Sequence, residues 1–84
     1  MDSQSGALIN FIKQQLIRSA AVEITETTPL VSSGLVDSLS LPQLLLQLEK
    51  ITGTRISIGK VSPQNFETVQ TMLETAKRIG VPKP

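Results

Sequence analysis

Gly34-Leu35-Val36-Asp37-Ser38-Leu39 marks the passage from a long polar loop into the most leucine-rich stretch of the chain. An Asp or Ser just before an apolar periodic run is a helix-start signal, because its side-chain oxygen can accept a free N–H of the first turn. Taken alone, Asp37-Ser38 need be no more than such a cap. The residues that follow extend the reading. Leu41, Leu44, Leu45, Leu48 and Ile51 recur at helical spacing as far as Gly53, which suits a left-handed C-cap. A helix is therefore predicted from about residue 37 to 52. Ser38 stands at its positive end, where free N–H groups and the macrodipole favour an attached anion and where the side chain can project into solvent. Pro42 lies just past the first turn. Its missing N–H is expected to leave the Ser38 carbonyl without its usual partner, so the helix start is expected to be kinked or slightly unwound, and Pro42→Ala to stabilise it.

Working outward, Leu8, Ile9, Ile12 and Leu16 give residues 6 to about 20 the period of an amphipathic helix, with Ser5 as N-cap and residues 1–5 frayed. Residues 21–36 lose that period and are rich in Thr, Ser, Pro and Gly. Loops of this length are often functional, and Val22, Ile24, Leu30, Val31 and Leu35 are expected to pin this one to the core. Beyond Gly53, Ile56 and Ile58 alternate with Ser57 in a short extended connection. Ser62-Pro63 reads as a cap followed by proline at the first helical position, opening one turn that ends near Phe66. A last helix is predicted from about 68 to 79, with Val69, Met72, Leu73, Ala76 and Ile79 inward and Gly80 and Pro82 stopping it. The expected architecture is all-α: an antiparallel bundle of three main helices plus a short fourth helix, with the long loop between the first two. The whole of 1–84 forms a single domain, with an ordered core of about 5–80.

Composition narrows the function. With 39% hydrophobic residues and only Phe11 and Phe66 aromatic, the core must be built from Leu, Ile and Val. The chain has no cysteine and no histidine, hence no disulfide, no Cys/His zinc site, no thiolate and no side chain with an unperturbed pKa near neutrality. Seven acids and eight bases are scattered without a cluster, so catalysis by the chain itself is not expected, and neither catalytic nor metal-ligating residues are assigned. A net charge of +1 without Trp or Tyr gives no nucleic-acid footprint. The second helix has one basic residue and is a poor match to a DNA-reading helix. Apolar runs such as Leu44-Leu45-Leu46 are far too short to span a bilayer. The N-terminal residues lack a basic region, and Ala7-Leu8-Ile9 is broken by Asn10, so a cytoplasmic, monomeric protein is expected.

The Asp37-Ser38-Leu39 triplet after Gly34, the Thr28-Pro29-Leu30 upstream, a helix closing at Gly53 and Phe66-Glu67-Thr68-Val69 opening the last helix together resemble the acyl carrier protein family, over about residues 5–79. The family includes peptidyl and D-alanyl carriers. The resemblance implies that Ser38 is esterified with 4′-phosphopantetheine, transferred from coenzyme A by a phosphopantetheinyl transferase that Asp37 helps to engage. The arm's thiol then holds an acyl or aminoacyl group as a thioester. Further implied partners are an acyl- or aminoacyl-loading enzyme and a downstream transferase or synthase of fatty acid or secondary metabolite biosynthesis. The alternative is a module of the same fold whose serine stays unmodified.

If Leu41, Leu44, Leu45 and Leu48 face the core, then Leu39, Gln43 and Leu46 follow another face at helical spacing. They form the candidate docking patch beside Ser38; the plainer alternative is that Leu46 completes the core. Fatty-acid carriers are strongly acidic along this helix, whereas this chain has only Glu49 there, offset by Lys50. That difference leans toward the peptidyl, aminoacyl or D-alanyl type, with recognition by shape and apolar contact rather than charge steering.

Overall fold

The computed structural model describes residues 3–17 and 22–82. Helix α1 spans Ser3–Phe11 and continues as a π-helical stretch, Ile12–Ile17. Leu8 and Ile12 are buried, and Leu16 and Ile17 pack beside them against the core. A π-helix is built on i→i+5 hydrogen bonds. Ile17, five residues after Ile12, thereby keeps contact with the core where the four-residue spacing gives Leu16. Helix formation already at Ser3 corrects two expectations. Ser5 is a buried residue within α1 rather than its N-cap, and residues 3–5 are helical rather than frayed. The predicted end of this helix near Ala20 lies outside the described residues.

Helix α2 spans Leu41–Thr52 and is entered through a 3-10 turn, Ser38–Ser40. Leu44, Leu45 and Leu48 are buried, as the leucine spacing predicts, and Leu41 and Ile51 pack partly against the core. The helix ends at Gly53, whose φ of 68° is left-handed and whose N–H donates to the Glu49 carbonyl at 2.9 Å.

The unwound start is present, but its hydrogen bonding differs from the expectation. The Ser38 carbonyl accepts the Leu41 N–H in a 3-10 pattern, so Pro42 leaves it no vacancy. Pro42 lies in the first turn of α2, where an N–H is surplus and proline's fixed φ is already helical. Pro42→Ala is thus not expected to stabilise. The looser unfolded chain should make the variant less stable by about 0.4–1 kcal/mol, read as a lower urea midpoint with an unchanged slope. A higher midpoint would show that proline strains the start.

Helix α3 spans Val69–Ile79 and buries Val69, Met72 and Ala76. Its N-cap is Thr68, whose Oγ1 accepts the Thr71 N–H at 3.0 Å. Thr75 is buried too, with its hydroxyl donating to the Thr71 carbonyl at 2.8 Å and accepting from Asn65 Nδ2 at 3.2 Å. Each of the three α-helices packs on the other two, and their apolar faces meet the loop anchors Ile24, Leu30 and Val36 in one core. The molecule is mostly helical and of the all-α class.

One element is new relative to the expected pattern. Thr54–Arg55 (β1) pairs antiparallel with Val81–Pro82 (β2), Thr54 opposite Pro82 and Arg55 opposite Val81. Gly80 permits this closure. A side chain there would meet the Ala76 carbonyl and stand 2.9 Å from Thr54 Oγ1. The fourth short helical turn does form, as 3-10 helix Pro63–Phe66, with the Ser62 N–H donating to Asn65 Oδ1 at 2.7 Å. A further 3-10 turn, Ile58–Lys60, precedes it, so Ile58 is not in an extended segment.

Candidate functional site

Residues 25–36 of the long loop are held by hydrogen bonds. Thr25, Thr27 and Thr28 hydrogen-bond among themselves, and the Gln70 N–H at the start of α3 donates to the Glu26 carbonyl at 3.0 Å. Residues 30–36 close into a ring. The Val36 N–H donates to the Leu30 carbonyl at 2.9 Å, and Gly34, at a φ of 82°, donates to the Val31 carbonyl at 3.1 Å. Leu30 and Val36 are both buried, so the ring is tethered to the core at its two ends.

The chain leaves this ring directly into Asp37 and Ser38. Asp37 has extended backbone, and its Oδ1 accepts the Leu39 N–H at 2.6 Å, so Asp37 is the residue that caps. Ser38 is the first residue of the 3-10 turn and is exposed. Among the described residues no group hydrogen-bonds its hydroxyl. With capping assigned to Asp37, the Ser38 oxygen is left free at the positive end of the helical run, where a phosphate ester is electrostatically favoured.

Ser38 also stands at the edge of a groove of about 190 Å³. Leu41, Leu45, Val61 and Phe66 line it, and the exposed Ile58 contributes to its rim. The groove was not apparent in the sequence, because it forms only where residues 58–66 fold back beside the start of α2. Leu39 is 88% exposed and Leu46 60% exposed, with Gln43 exposed between them. Leu46 therefore does not complete the core.

Two acids have roles that their sequence positions did not indicate. Glu49 Oε2 accepts the Ile56 N–H at 2.7 Å and fixes the chain after α2. The half-buried Glu67 accepts three successive N–H groups of the ring, those of Leu30, Val31 and Ser32, on one carboxylate oxygen. Hydrogen bonds hold its pKa below the ordinary carboxylate value, that of the Ser32 N–H foremost and that of the Ser32 side chain next, with partial burial opposing. A depressed folded-state pKa means that the stabilisation is present above the ordinary carboxyl pKa and is lost as pH falls through the lowered one. Among the described residues no His/Cys/Asp/Glu group is arranged to hold a metal ion, and no helix is long and apolar enough to cross a membrane.

These features define a class: a small helical protein that exposes an unbonded serine, next to a capping aspartate, at a helix start beside an apolar groove. No family model matches the chain. It is 31% identical over 72 residues to the probable acyl carrier protein PigG of Serratia sp. (strain ATCC 39006), across 86% of this chain and 83% of that protein. A solved structure described as the crystal structure of an FAD-dependent dehydrogenase includes a chain that matches with a TM-score of 0.69 at 31% identity, over 83% of this chain and 99% of the other. The chain belongs to the acyl carrier protein family.

Proposed function

We propose that this protein is a carrier in which Ser38 bears a 4′-phosphopantetheine arm, and that it presents an acyl or aminoacyl group to partner enzymes without catalysing their reactions. The observation that carries this reading is the exposed Ser38 hydroxyl, unbonded while Asp37 does the capping. The chain supplies a charge-favourable seat for the arm's phosphate, and the groove of Leu41, Leu45, Val61 and Phe66 offers apolar cover next to it. When bound, the group supplies the thiol that a chain without cysteine lacks. Residues 1–84 act as one carrier domain, a monomer in the cytoplasm, with its helices as an antiparallel bundle.

Asp37 contributes to the surface that a phosphopantetheinyl transferase meets. Leu39, Gln43 and Leu46 form the docking patch for that enzyme, for the loading enzyme and for a downstream transferase or synthase. Docking there is by apolar contact, since α2 carries only Glu49, already engaged with Ile56, and Lys50. This favours an aminoacyl or peptidyl cargo over a fatty-acid synthesis role. The matching chain in the dehydrogenase structure is itself carrier-sized, since most of this short protein covers nearly all of it. That supports a flavin-dependent dehydrogenase as one class of partner.

The test is intact mass after incubation with coenzyme A and a broad-specificity transferase. The expected result is a gain of one phosphopantetheine, absent in Ser38→Ala. No gain with several transferases would favour the unmodified module. For the docking patch, Leu46→Glu should leave stability within about 0.5 kcal/mol while slowing modification or loading severalfold. Native kinetics with every partner would remove Leu46 from the patch.

A further inference from the structure

Glu67 sits where two stretches distant in sequence meet. It precedes Thr68, the N-cap of α3, so its backbone is held by the helix start, where the Met72 N–H donates to the Thr68 carbonyl at 3.0 Å. From that base its Oε1 accepts the N–H groups of Leu30 at 3.1 Å, Val31 at 2.8 Å and Ser32 at 2.9 Å. Its own carbonyl accepts the Leu30 N–H as well, at 2.7 Å. These are the amides that open the ring of residues 30–36, and the ring's far end, the buried Val36, lies only two residues before Ser38. A second strap ties the loop to the start of α3, the backbone bond from the Gln70 N–H to the Glu26 carbonyl. Displacing the clamped amides therefore displaces the segment that delivers Asp37 and Ser38 to the start of α2. Glu49, by contrast, uses its carboxylate on a single N–H beyond the C-terminal end of that helix.

We propose that Glu67 is a positioning residue for the modification of Ser38. By latching residues 30–32 onto the start of α3, it fixes the place and direction in which the Ser38 hydroxyl meets a phosphopantetheinyl transferase. This rests on Ser38 being the attachment site. Glu67 touches neither the hydroxyl nor the arm and acts only through the ring. The property that matters is the reach of its oxygen to three amides rather than its charge at the surface.

The experiment measures kcat and KM for conversion of the apo protein by a transferase with coenzyme A, at a temperature where every variant is folded by circular dichroism. Glu67→Ala should lower kcat/KM about tenfold, since small misplacements of a reacting group are costly in rate. Glu67→Asp keeps the charge but withdraws the oxygen by one methylene, and should lose a comparable factor. Should the alanine variant fail to fold, the aspartate variant carries the test. Glu67→Gln, whose amide oxygen has the native reach, should recover most of the rate. Leu73→Ala, at a half-buried position facing Thr52 and Thr54, lowers stability without touching the ring and should keep native kinetics. Native rates in folded Glu67→Ala and Glu67→Asp would overturn the proposal, as would an equal loss in Leu73→Ala. A native protein that no transferase modifies would instead overturn the assignment of Ser38, and the role of Glu67 with it.

Discussion

Ser38→Ala should abolish attachment of the arm completely while leaving the stability of the apo protein within about 0.5 kcal/mol of native. The two halves of that result come from the same geometry. The hydroxyl is exposed and makes no hydrogen bond among the described residues, so its removal breaks nothing in the fold. Its neighbour behaves in the opposite way. Asp37 Oδ1 accepts the Leu39 N–H at 2.6 Å, and Asp37→Ala removes the cap at a cost of about 0.5–2 kcal/mol. Urea unfolding of the two variants, set beside intact mass after transferase treatment, separates a carrier serine from a capping serine. If Ser38 were only a cap, Ser38→Ala would carry the stability loss and Asp37→Ala would be silent. A destabilised Ser38→Ala of unchanged modification mass would contradict the site assignment outright. The expected pattern instead divides two adjacent polar residues between structure and chemistry.

That division was only half legible in the sequence. Asp-Ser before an apolar run signals a helix start, and the spacing of Leu44, Leu45 and Leu48 announces the buried face, because both signals are local and periodic. The same periodicity placed Leu39 and Leu46 outside the core. It could not say whether Asp37 or Ser38 is the cap, since either residue type suits that position. Pro42 looked like a defect for the same reason. Counting α-helical bonds leaves the Ser38 carbonyl unpaired, whereas a 3-10 turn gives it the Leu41 N–H. The β1–β2 pair involves two residues per strand, too few to show alternation, and depends on Gly80 for its approach. The Glu67 latch spans 35 to 37 residues of sequence, and a glutamate ahead of a helix is ordinary. Its role exists only once the loop has folded back onto α3. The groove beside Ser38 is likewise a product of tertiary structure, joining the start of α2 to residues 58–66.

Phe66→Ala should cost about 3–5 kcal/mol, the largest stability loss of any substitution considered, against a total of about 5–15 kcal/mol for a small domain. Phe66 is 3% exposed, while the other aromatic residue, Phe11, is only partly buried. Core truncations are costliest where the surroundings cannot collapse into the space, and here the surroundings are held from three sides. The turn Pro63–Phe66 is locked by the Ser62 N–H on Asn65 Oδ1, and Asn65 Nδ2 in turn donates to Thr75 Oγ1 on α3. The next residue is Glu67, fastened to the ring of the long loop. Across the groove, Leu41 and Leu45 are fixed by the helical backbone of α2. With its walls pinned, the site keeps most of the void that the missing ring leaves, and the groove beside Ser38 enlarges rather than closing. Phe66→Leu retains most of the volume and should cost less than half as much. Urea denaturation of both variants measures this directly, since a shift in midpoint at constant slope reads as stability alone. A loss under about 1 kcal/mol for Phe66→Ala would mean that the wall relaxes freely, and that the groove beside the serine is not a preformed feature of the fold.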